Sequence, residues 1–194
     1  RGLRVLLIDH APKLAEKIRI SGGGRANFTN RDLDPRQPHK HYLGANPHFC
    51  RSALSRYTPA DFTDLLQRHG VPFHEKHKGQ LFCDRSAQDL IDVLLAECDA
   101  GGVTRWQPCG VHGVTYTDAD PAARYTLQTD RGMVSSRSLV VATGGLSIPK
   151  IGASDFGFRL AQQFGLNVVA PRPALVPLTF DPQAWAPFAD LSGL

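Results

Sequence analysis

Asp9 is the first residue of the sequence whose type and position suggest ligand chemistry. It ends the apolar run 4-RVLLID-9, which has the pattern of a strand buried on both faces of a parallel sheet. In dinucleotide-binding folds, an acid at the end of the second strand accepts hydrogen bonds from the adenosine ribose hydroxyls, about 20 residues after a G-x-G-x-x-G turn. Because no such turn precedes Asp9 in this sequence, this role predicts that the turn lies outside the chain. The alternative is that Asp9 caps the segment that follows it.

Three consecutive glycines and two polar side chains form a second candidate site. Gly22, Gly23 and Gly24 permit positive φ and let backbone N–H groups approach a ligand. Arg25 adds a forked cation suited to a phosphate or carboxylate, and Asn27 offers both a donor and an acceptor. The spacing matches neither a Walker loop nor a G-x-G-x-x-G turn. The alternative is a connecting turn whose arginine pairs with a local acid.

A third candidate is the turn that follows an apolar run late in the chain. The run 138-SLVVAT-143 predicts another buried strand, and Gly144 and Gly145 follow it. Ligands of open α/β sheets bind at the carboxyl ends of the strands. This turn supports a ligand site only together with Asp9, because a plain strand-to-loop turn has the same composition.

The histidines and cysteines do not form a recognisable site. The eight histidines contain no H-E-x-x-H pattern, and no Ser–His–Asp or Cys–His set can be selected from the sequence. The four cysteines include no C-x-x-C pair. This pattern indicates reduced thiols and a cytoplasmic location, and it predicts no metal site.

Capping residues and periodicity predict the secondary structure. Helices are predicted from Thr58 to Gly70, over 86–98 with Ser86 and Asp89 as a capping box, over 154–164, and in a short segment opened by Asn46. Strands are predicted over 4–9, 71–76, 79–83, 103–107, 109–116, 124–129 and 138–143, with an antiparallel excursion between 109 and 134. From residue 171 the chain is proline-punctuated, which predicts an exit from the domain.

Length and charge bound the class of protein. The chain has 194 residues, of which 42% are hydrophobic, and this length fits one domain or one domain with the start of a second. Lys and Arg number 22 against 18 Asp and Glu, for a formal charge of +4. A mild charge without a basic block favours a small anionic ligand over nucleic acid. No apolar run is long enough to span a membrane.

Several long, colinear blocks of the sequence resemble one known family. The blocks DHAPKLAEKIRISGGGRANFTN, GQLFCDRSAQDLIDVLLAEC and VVATGGLSIPKIGASDFGFRLAQQFGLNV are similar to signatures of the BaiN/RdsA-type (YhiN-like) NAD(P)/FAD-dependent oxidoreductases. The resemblance covers essentially the whole chain. It implies an α/β, Rossmann-like FAD/NAD(P)-binding domain of the glutathione-reductase type, incomplete at its N-terminus and carrying the antiparallel excursion.

The resemblance also implies a cofactor contact for individual residues. Asp9 matches the acid at the adenosine ribose, and Val111 matches the position at the adenine. Lys17 lies in the family's R-K-I segment, and its GGGRCN loop beside the flavin corresponds to Gly22, Gly23, Gly24, Arg25 and Asn27. The family's A-T-G-G turn near the pyrophosphate corresponds to Ala142, Thr143 and Gly144. Ala26 stands where the family commonly has cysteine, so thiol chemistry is absent there. Residues 14–16 replace the usual P-G-R, and Arg19 replaces a usually apolar residue.

The resemblance implies two parts of the chain and one activity. Residues 1–170 are expected to form the FAD-binding domain without its first strand and G-x-G-x-x-G turn, and residues 171–194 to connect to a second, mainly β inserted domain that is cut off. The intact protein is expected to pass electrons from NAD(P)H through FAD to a small organic substrate, with no nucleic-acid or membrane partner. The isolated chain is expected to be inactive.

Two other functions stay open at this point. One is a nucleotide-binding module without redox activity, which would use the same glycine loop. The other is a nucleic-acid partner that uses Lys13, Lys17, Arg19 and Arg25, which the weak net charge and the lack of interleaved aromatic residues disfavour.

Overall fold

The computed structural model describes residues 2–173 and 180–191, which divide into two compact units after Ser154. The strands, all in the first unit, are β1 (Leu6–Ile8), β2 (Asn27–Asn30), β3 (Phe73–Glu75), β4 (Gln80–Cys83), β5 (Thr104–Trp106), β6 (Val111–Tyr116), β7 (Tyr125–Thr129) and β8 (Gly132–Ser136). The α-helices are α1 (Glu16–Ile20), α2 (Arg51–Arg56), α3 (Pro59–Arg68), α4 (Ala87–Ala100), α5 (Phe156–Gln163) and α6 (Pro182–Trp185). Short 3-10 turns lie at Ser21–Gly24, Pro38–Lys40, Pro149–Ile151 and Ala186–Leu191.

The strands of the first unit form three small sheets. β1 and β5 pair in parallel, with Leu6 opposite Thr104 and Ile8 opposite Trp106. An antiparallel sheet has the order β2-β4-β3, and a second antiparallel sheet has the order β6-β7-β8. The second antiparallel sheet confirms the excursion predicted between residues 109 and 134.

The hydrophobic core lies between helices α3 and α4 and the β2-β4-β3 sheet. Its buried members are Ala26, Leu65, Leu66, Val71, Cys83, Ala87, Leu90 and Val93. Phe28 of β2 packs edge-on against Phe62 and Phe73, with ring centroids 5.8 and 5.5 Å apart. The core therefore includes Ala26 and Phe28, which flank Asn27 at the end of the glycine-rich segment.

Helix α3 begins as its sequence predicts. The Thr58 hydroxyl accepts a hydrogen bond from the Asp61 N–H, and the Asp61 carboxylate accepts one from the Thr58 N–H, which completes a capping box. Helix α4 differs in detail, because Ser86 caps the N–H of Gln88 while Asp89 pairs with Arg85 at 3.1 Å. The predicted capping box of Ser86 and Asp89 is therefore wrong, because the arginine provides the carboxylate with a charged partner.

Three expectations about local structure are wrong. Residues 138–143 form no strand, and Val140 and Val141 are 84% and 45% exposed. A strand needs a neighbour for its backbone hydrogen bonds, and no strand in the described part of the chain pairs with this run. Among the described strands, β1 pairs with β5 alone, and it is not buried on both faces, because Leu7 is 42% exposed. The helix predicted after Asn46 begins at Arg51, since the Asn46 side chain closes an Asx turn onto the His48 N–H at 3.1 Å.

The second unit contains helix α5, which Gly165 follows at a φ of 72°, and the short helix α6. Asp181 caps α6 by accepting hydrogen bonds from the N–H groups of Gln183 and Ala184. Part of the predicted exit from the domain, residues 174–179 and 192–194, lies outside the described residues, and the predicted domain division stays a prediction. Among the described residues, no helix is both long enough and apolar enough to cross a membrane.

Candidate functional site

The glycine turn, residues Ser21–Gly24, has a backbone that only glycine adopts readily. Gly22, Gly23 and Gly24 have φ values of 59°, 66° and 85°. A Cβ on Gly22 would lie 2.7 Å from both the Asn27 nitrogen and the Phe82 ring, whereas a Cβ on Gly23 would meet no atom within 4 Å. The turn is therefore packed against the protein on one side and open on the other, as a backbone surface that receives a ligand must be.

Core contacts hold the end of the glycine turn in place. Ala26 is 1% exposed, and its N–H donates to the Ser21 carbonyl at 3.1 Å. The Arg25 carbonyl accepts a hydrogen bond from the Cys83 N–H at 2.9 Å, which joins the turn to strand β4. Burial raises the pKa of the Cys83 thiol, so this cysteine stays protonated and serves as core. A rigid turn of this kind fixes the positions of the side chains on either side of Ala26.

Arg25 and Asn27 are the exposed side chains of this turn. Neither makes a side-chain hydrogen bond or ion pair with another residue in the described part of the chain. The structure therefore contradicts the alternative in which Arg25 pairs with a local acid. An unpaired guanidinium beside an amide suits an anionic or carbonyl-rich ligand, because together they supply donors and an acceptor.

Helix α1 carries two cations, Arg19 and Lys17, whose surroundings differ. Arg19 donates to Glu16 at 3.1 Å and to Gln88 of helix α4, so it links the two helices. Lys17 is exposed, and no ion pair is recorded for it among the described residues. Of these two residues, Lys17 is thus the one that can contact a ligand. Arg19 holds helix α1, which precedes the glycine turn, against helix α4.

Asp9 lies at the carboxyl end of the parallel β1–β5 pair. Its N–H donates to the Trp106 carbonyl at 3.0 Å, and its own carbonyl accepts from the Cys109 N–H at 2.8 Å. One carboxylate oxygen, Oδ1, accepts from the Ala11 N–H at 2.9 Å. The side chain is 32% exposed, and no hydrogen bond to Oδ2 is recorded among the described residues. Asp9 therefore both caps the next segment and keeps one carboxylate oxygen for a ligand.

The bond between Asp9 and Cys109 places strand β6 beside the end of β1. Val111 is the half-buried first residue of β6 and pairs with Thr129. Next to it, Asp130 accepts hydrogen bonds from the Gly110 N–H, at 2.6 Å, and from His112. These bonds lower the pKa of the Asp130 carboxyl, the Gly110 bond contributing most. Asp130 thus fixes the start of β6, and with it the position of Val111.

Ala142, Thr143 and Gly144 lie in an exposed segment without strand or helix structure. Gly144 has a φ of 68°, and a Cβ there would meet no atom within 4 Å. No hydrogen bond described for this part of the chain joins these three residues to Asp9 or to the glycine turn. The structure therefore joins Asp9 to Cys109, two residues before Val111, and packs Gly22 against Asn27, while no contact described for these residues joins the later turn to either.

Two features near these residues were not predicted from the sequence. A Cβ on Gly152 would lie 3.0 Å from His10 Nε2, so the turn at Pro149–Ile151 ends beside the residue that follows Asp9. A cleft of about 390 Å³ opens between β2, α2 and α3. It is lined by Phe28, Thr29, Asn30, Leu33, His41, Tyr42, Leu54, Tyr57, Thr58, Pro59 and Phe62. Residues so far apart in the chain carry no local pattern that would reveal the cleft.

An acid at the end of a parallel strand and a glycine turn with an open backbone are features expected of a nucleotide-binding domain of the Rossmann type. The family model described as HI0933-like protein Rossmann domain matches residues 1–176. The chain belongs to this family, which is of the FAD-binding Rossmann type. The predicted family and fold class are thereby confirmed. The contacts of the individual residues with a cofactor stay predictions.

Curated relatives show what this chain is similar to. It is 50% identical over 178 residues to the ribosomal RNA dihydrouridine synthase of Escherichia coli and 43% identical over 179 residues to the protein of that name in Haemophilus influenzae. It is 23% identical over 193 residues to a 3-dehydro-bile acid delta(4,6)-reductase of Clostridium scindens. These matches cover 92%, 92% and 98% of the chain but only 42%, 44% and 44% of the relatives.

The names of these relatives bear on the predicted partners in two ways. The bile acid reductase acts on a small molecule, in line with the predicted substrate class. The two dihydrouridine synthases act on ribosomal RNA, which disagrees with the prediction of no nucleic-acid partner. Because the chain spans less than half of each relative, the substrate of the whole protein is a matter for proposal.

Proposed function

We propose that the protein is a FAD-dependent reductase that converts uridine to dihydrouridine in ribosomal RNA, with NAD(P)H as the electron donor. The observation that carries this proposal is the 50% identity over 92% of the chain to the Escherichia coli enzyme of that name. The more distant bile acid reductase supports the general chemistry, since its name also describes reduction at carbon–carbon double bonds. A cytoplasmic location belongs to the same proposal.

The residues of the site fit a bound FAD. Asp9 Oδ2 is an acceptor for a ribose hydroxyl, and the hydrogen bond from the Cys109 N–H to the Asp9 carbonyl holds the chain two residues before Val111. Gly23 has an open face that a Cβ would fill, so flavin atoms can approach the backbone there. Arg25 and Asn27 would offer a bound flavin donors that have no competing partner among the described residues.

The FAD, when bound, supplies the hydride chemistry, and this chain supplies position and charge. Asp9 fixes the adenosine end, and the glycine turn fixes the flavin end. The Arg25 cation would stabilise negative charge on a flavin bound beside the glycine turn. In the net reaction, uridine gains a hydride at its double bond and a proton from water, while NAD(P)H is oxidised to NAD(P)⁺.

The remaining length of the protein completes the site in this proposal. The chain spans 42% and 44% of the two dihydrouridine synthases, and it contains no G-x-G-x-x-G turn. We place that turn, which would hold the pyrophosphate at a helix N-terminus, in the part of the protein outside this chain. The exposed run 138–143 would then pair with the additional strand, and residues 171–194 would lead into a second, mainly β domain.

The test uses the full-length protein and ribosomal RNA transcribed without modification. We expect a yellow protein whose flavin absorbance bleaches when NADH or NADPH is added without oxygen. Digestion of the RNA and mass spectrometry of its nucleosides should then show dihydrouridine only when protein, RNA and reduced nucleotide are all present.

The other outcomes separate the parts of the proposal. A yellow protein that bleaches but forms no dihydrouridine would leave a flavin oxidoreductase with a different substrate. A colourless protein that binds only ADP or ATP would favour the nucleotide-binding module without redox activity. Comparison of NADH with NADPH identifies the donor in the same experiment.

A further inference from the structure

The sequence concentrates positive charge in one segment beside the cleft. Residues 35–60 contain no aspartate or glutamate, although the whole chain has 18 acids against 22 Lys and Arg. The basic residues in this segment are Arg36, Lys40, Arg51 and Arg56, with His39, His41 and His48 in addition. We call residues 35–60 the basic segment. Its local charge is not visible in the net charge of +4 for the chain.

Three of these cations have no acidic partner in the described part of the chain. Arg36 is the exception, because it pairs with Asp34 at 3.0 Å and holds the pKa of that carboxyl well below its usual range. Lys40, Arg51 and Arg56 are exposed, and no ion pair is recorded for any of them. A group of unpaired, exposed cations is attracted to a polyanion, because each can neutralise a phosphate and release its counterion.

Exposed aromatic residues are interspersed with these cations along the chain. Tyr42, Phe49 and Tyr57 are 47%, 86% and 53% exposed, and in sequence they fall between or directly beside Lys40, Arg51 and Arg56. The rings of His39 and His48 meet edge-on with centroids 5.8 Å apart, so the two ends of the chain segment between them lie close together. Cations interleaved with exposed rings are the composition of single-stranded nucleic-acid sites, where phosphates meet the cations and bases stack on the rings.

The basic segment is continuous with the cleft and the glycine turn. Tyr42 and Tyr57 of the segment line the cleft, together with Phe28 and Thr29 of strand β2. Strand β2 begins at Asn27, the residue that closes the glycine-rich sequence. RNA bound at Tyr42 and Tyr57 would therefore lie at a cleft of about 390 Å³, and strand β2 in the wall of that cleft begins at Asn27 of the proposed flavin loop.

We propose that the basic segment binds single-stranded ribosomal RNA next to the uridine that is reduced. This inference rests on the proposed function and adds to it the surface that recognises the substrate. Single-stranded RNA fits better than a duplex, because only unstacked bases can stack on Tyr42, Phe49 and Tyr57. It also fits better than an acidic protein, because RNA offers a phosphate for each cation and a flat base for each ring along one strand.

The test measures binding of a fluorescent, uridine-rich RNA oligonucleotide to the flavin-loaded full-length protein over a range of salt concentrations. One variant combines Lys40→Ala, Arg51→Ala and Arg56→Ala. Its matched control combines Arg68→Ala, Arg124→Ala and Arg137→Ala, three exposed cations outside the segment. Both variants lose the same net charge, and an unchanged flavin content shows that each is folded.

We expect the first variant to bind RNA at least about tenfold more weakly at about 0.1 M salt, and its salt slope to fall by about 2, because each lost phosphate contact accounts for about 0.7. The control should stay within about twofold of the unchanged protein. Phe49→Ala should weaken binding about tenfold without changing the salt slope, and Phe49→Tyr should restore it, because stacking is neutral with respect to charge.

The results distinguish a failure of this inference from a failure of the proposed function. If the protein forms dihydrouridine but the two triple variants bind RNA equally, the basic segment is not the RNA site. If it forms none but the first variant alone loses RNA binding, the proposed reaction is wrong and the RNA site stands. Absence of RNA binding by the unchanged protein, or equal competition by polyglutamate, would overturn the inference.

Discussion

Gly22 lies directly against Phe82, so that a Cβ on Gly22 would come within 2.7 Å of the Phe82 ring. Phe82 is a buried residue of β4 and is opposite Asn27 in the sheet register. The same Cβ would lie 2.7 Å from the Asn27 nitrogen, which cannot move without breaking the start of β2. The shape of the glycine turn is thus set by the sheet beneath it as well as by its own backbone.

This contact separates the effects of two alanine substitutions. Gly22 and Gly23 have nearly equal φ values, 59° and 66°, so alanine at either site costs about 1–2 kcal/mol for the left-handed backbone. Only Gly22→Ala also forces an overlap with the sheet, which adds about 1–3 kcal/mol. We expect the temperature at which the full-length protein releases its flavin to fall more for Gly22→Ala than for Gly23→Ala. Equal decreases would mean that the contact with Phe82 does not constrain the turn.

Helices α3, α4 and α5 and strands β3, β4, β6 and β7 were predictable from the sequence because their signals are local. Thr58, Pro59 and Asp61 specify the start of α3 within one turn, and alternating residues specify β7. The run 138–143 has an equally clear apolar pattern but forms no strand, since a strand depends on a neighbour that the run itself cannot supply. Local sequence patterns therefore predicted the elements that they specify by themselves. They failed for the run 138–143, whose strand structure depends on a neighbouring strand.

The candidate site was predictable to a similar degree. Asp9 and the glycine turn stand out because acids after apolar runs and consecutive glycines are visible in a short window of sequence. The cleft was not predictable, because Phe28, Tyr42 and Tyr57 come together only through the packing of β2, α2 and α3. The different roles of Arg19 and Lys17 were not predictable for the same reason, because Gln88, the partner of Arg19, lies on a helix far along the chain.

Asp9 is predicted to hold the ribose of FAD through its open carboxylate oxygen. Asp9→Asn keeps an oxygen for the Ala11 N–H but replaces the second acceptor by a donor. We expect the Kd for FAD to rise about 10- to 100-fold, as for loss of a hydrogen bond to a charged group. Asp120→Asn is the matched control, because Asp120 accepts from the Ala122 N–H at 2.8 Å in the same i to i+2 geometry but away from the site. Titration of the flavin-depleted full-length protein measures both, and a similar Kd for the two variants would contradict a ribose contact.

Arg25 is predicted to tune the flavin by charge. Its side chain is exposed and has no ion pair in the described part of the chain, so its full charge is available to a ligand beside the glycine turn. Because a cation favours the more negative, reduced flavin, we expect Arg25→Ala to make the midpoint potential more negative. Arg25→Lys should recover part of the shift, and Arg124→Ala in the β6–β7 connection should cause none. Spectroelectrochemical titration of the full-length protein measures the potential, and an unchanged value for Arg25→Ala would place the guanidinium away from the flavin.

The capping box of α3 gives a pH dependence whose sign can be worked out. The Thr58 hydroxyl, and then the Thr58 N–H, lower the pKa of the Asp61 carboxyl from its ordinary value of 3.8. A carboxyl whose pKa is lower in the folded state stabilises the protein above its unfolded pKa, and this stabilisation is lost as the pH falls through the folded pKa. Asp61→Asn should therefore lower the melting temperature of the full-length protein near pH 7, and the difference should shrink below about pH 4. Asp64→Asn removes the same charge beyond the first turn of the same helix and should produce a smaller change near pH 7. Thr58→Ala should lower the free energy of unfolding by about 1 kcal/mol at neutral pH, because it removes the N-cap. The prediction for Asp61 fails if the difference in melting temperature between Asp61→Asn and the unchanged protein stays constant down to about pH 3, because the carboxylate then does not support the cap.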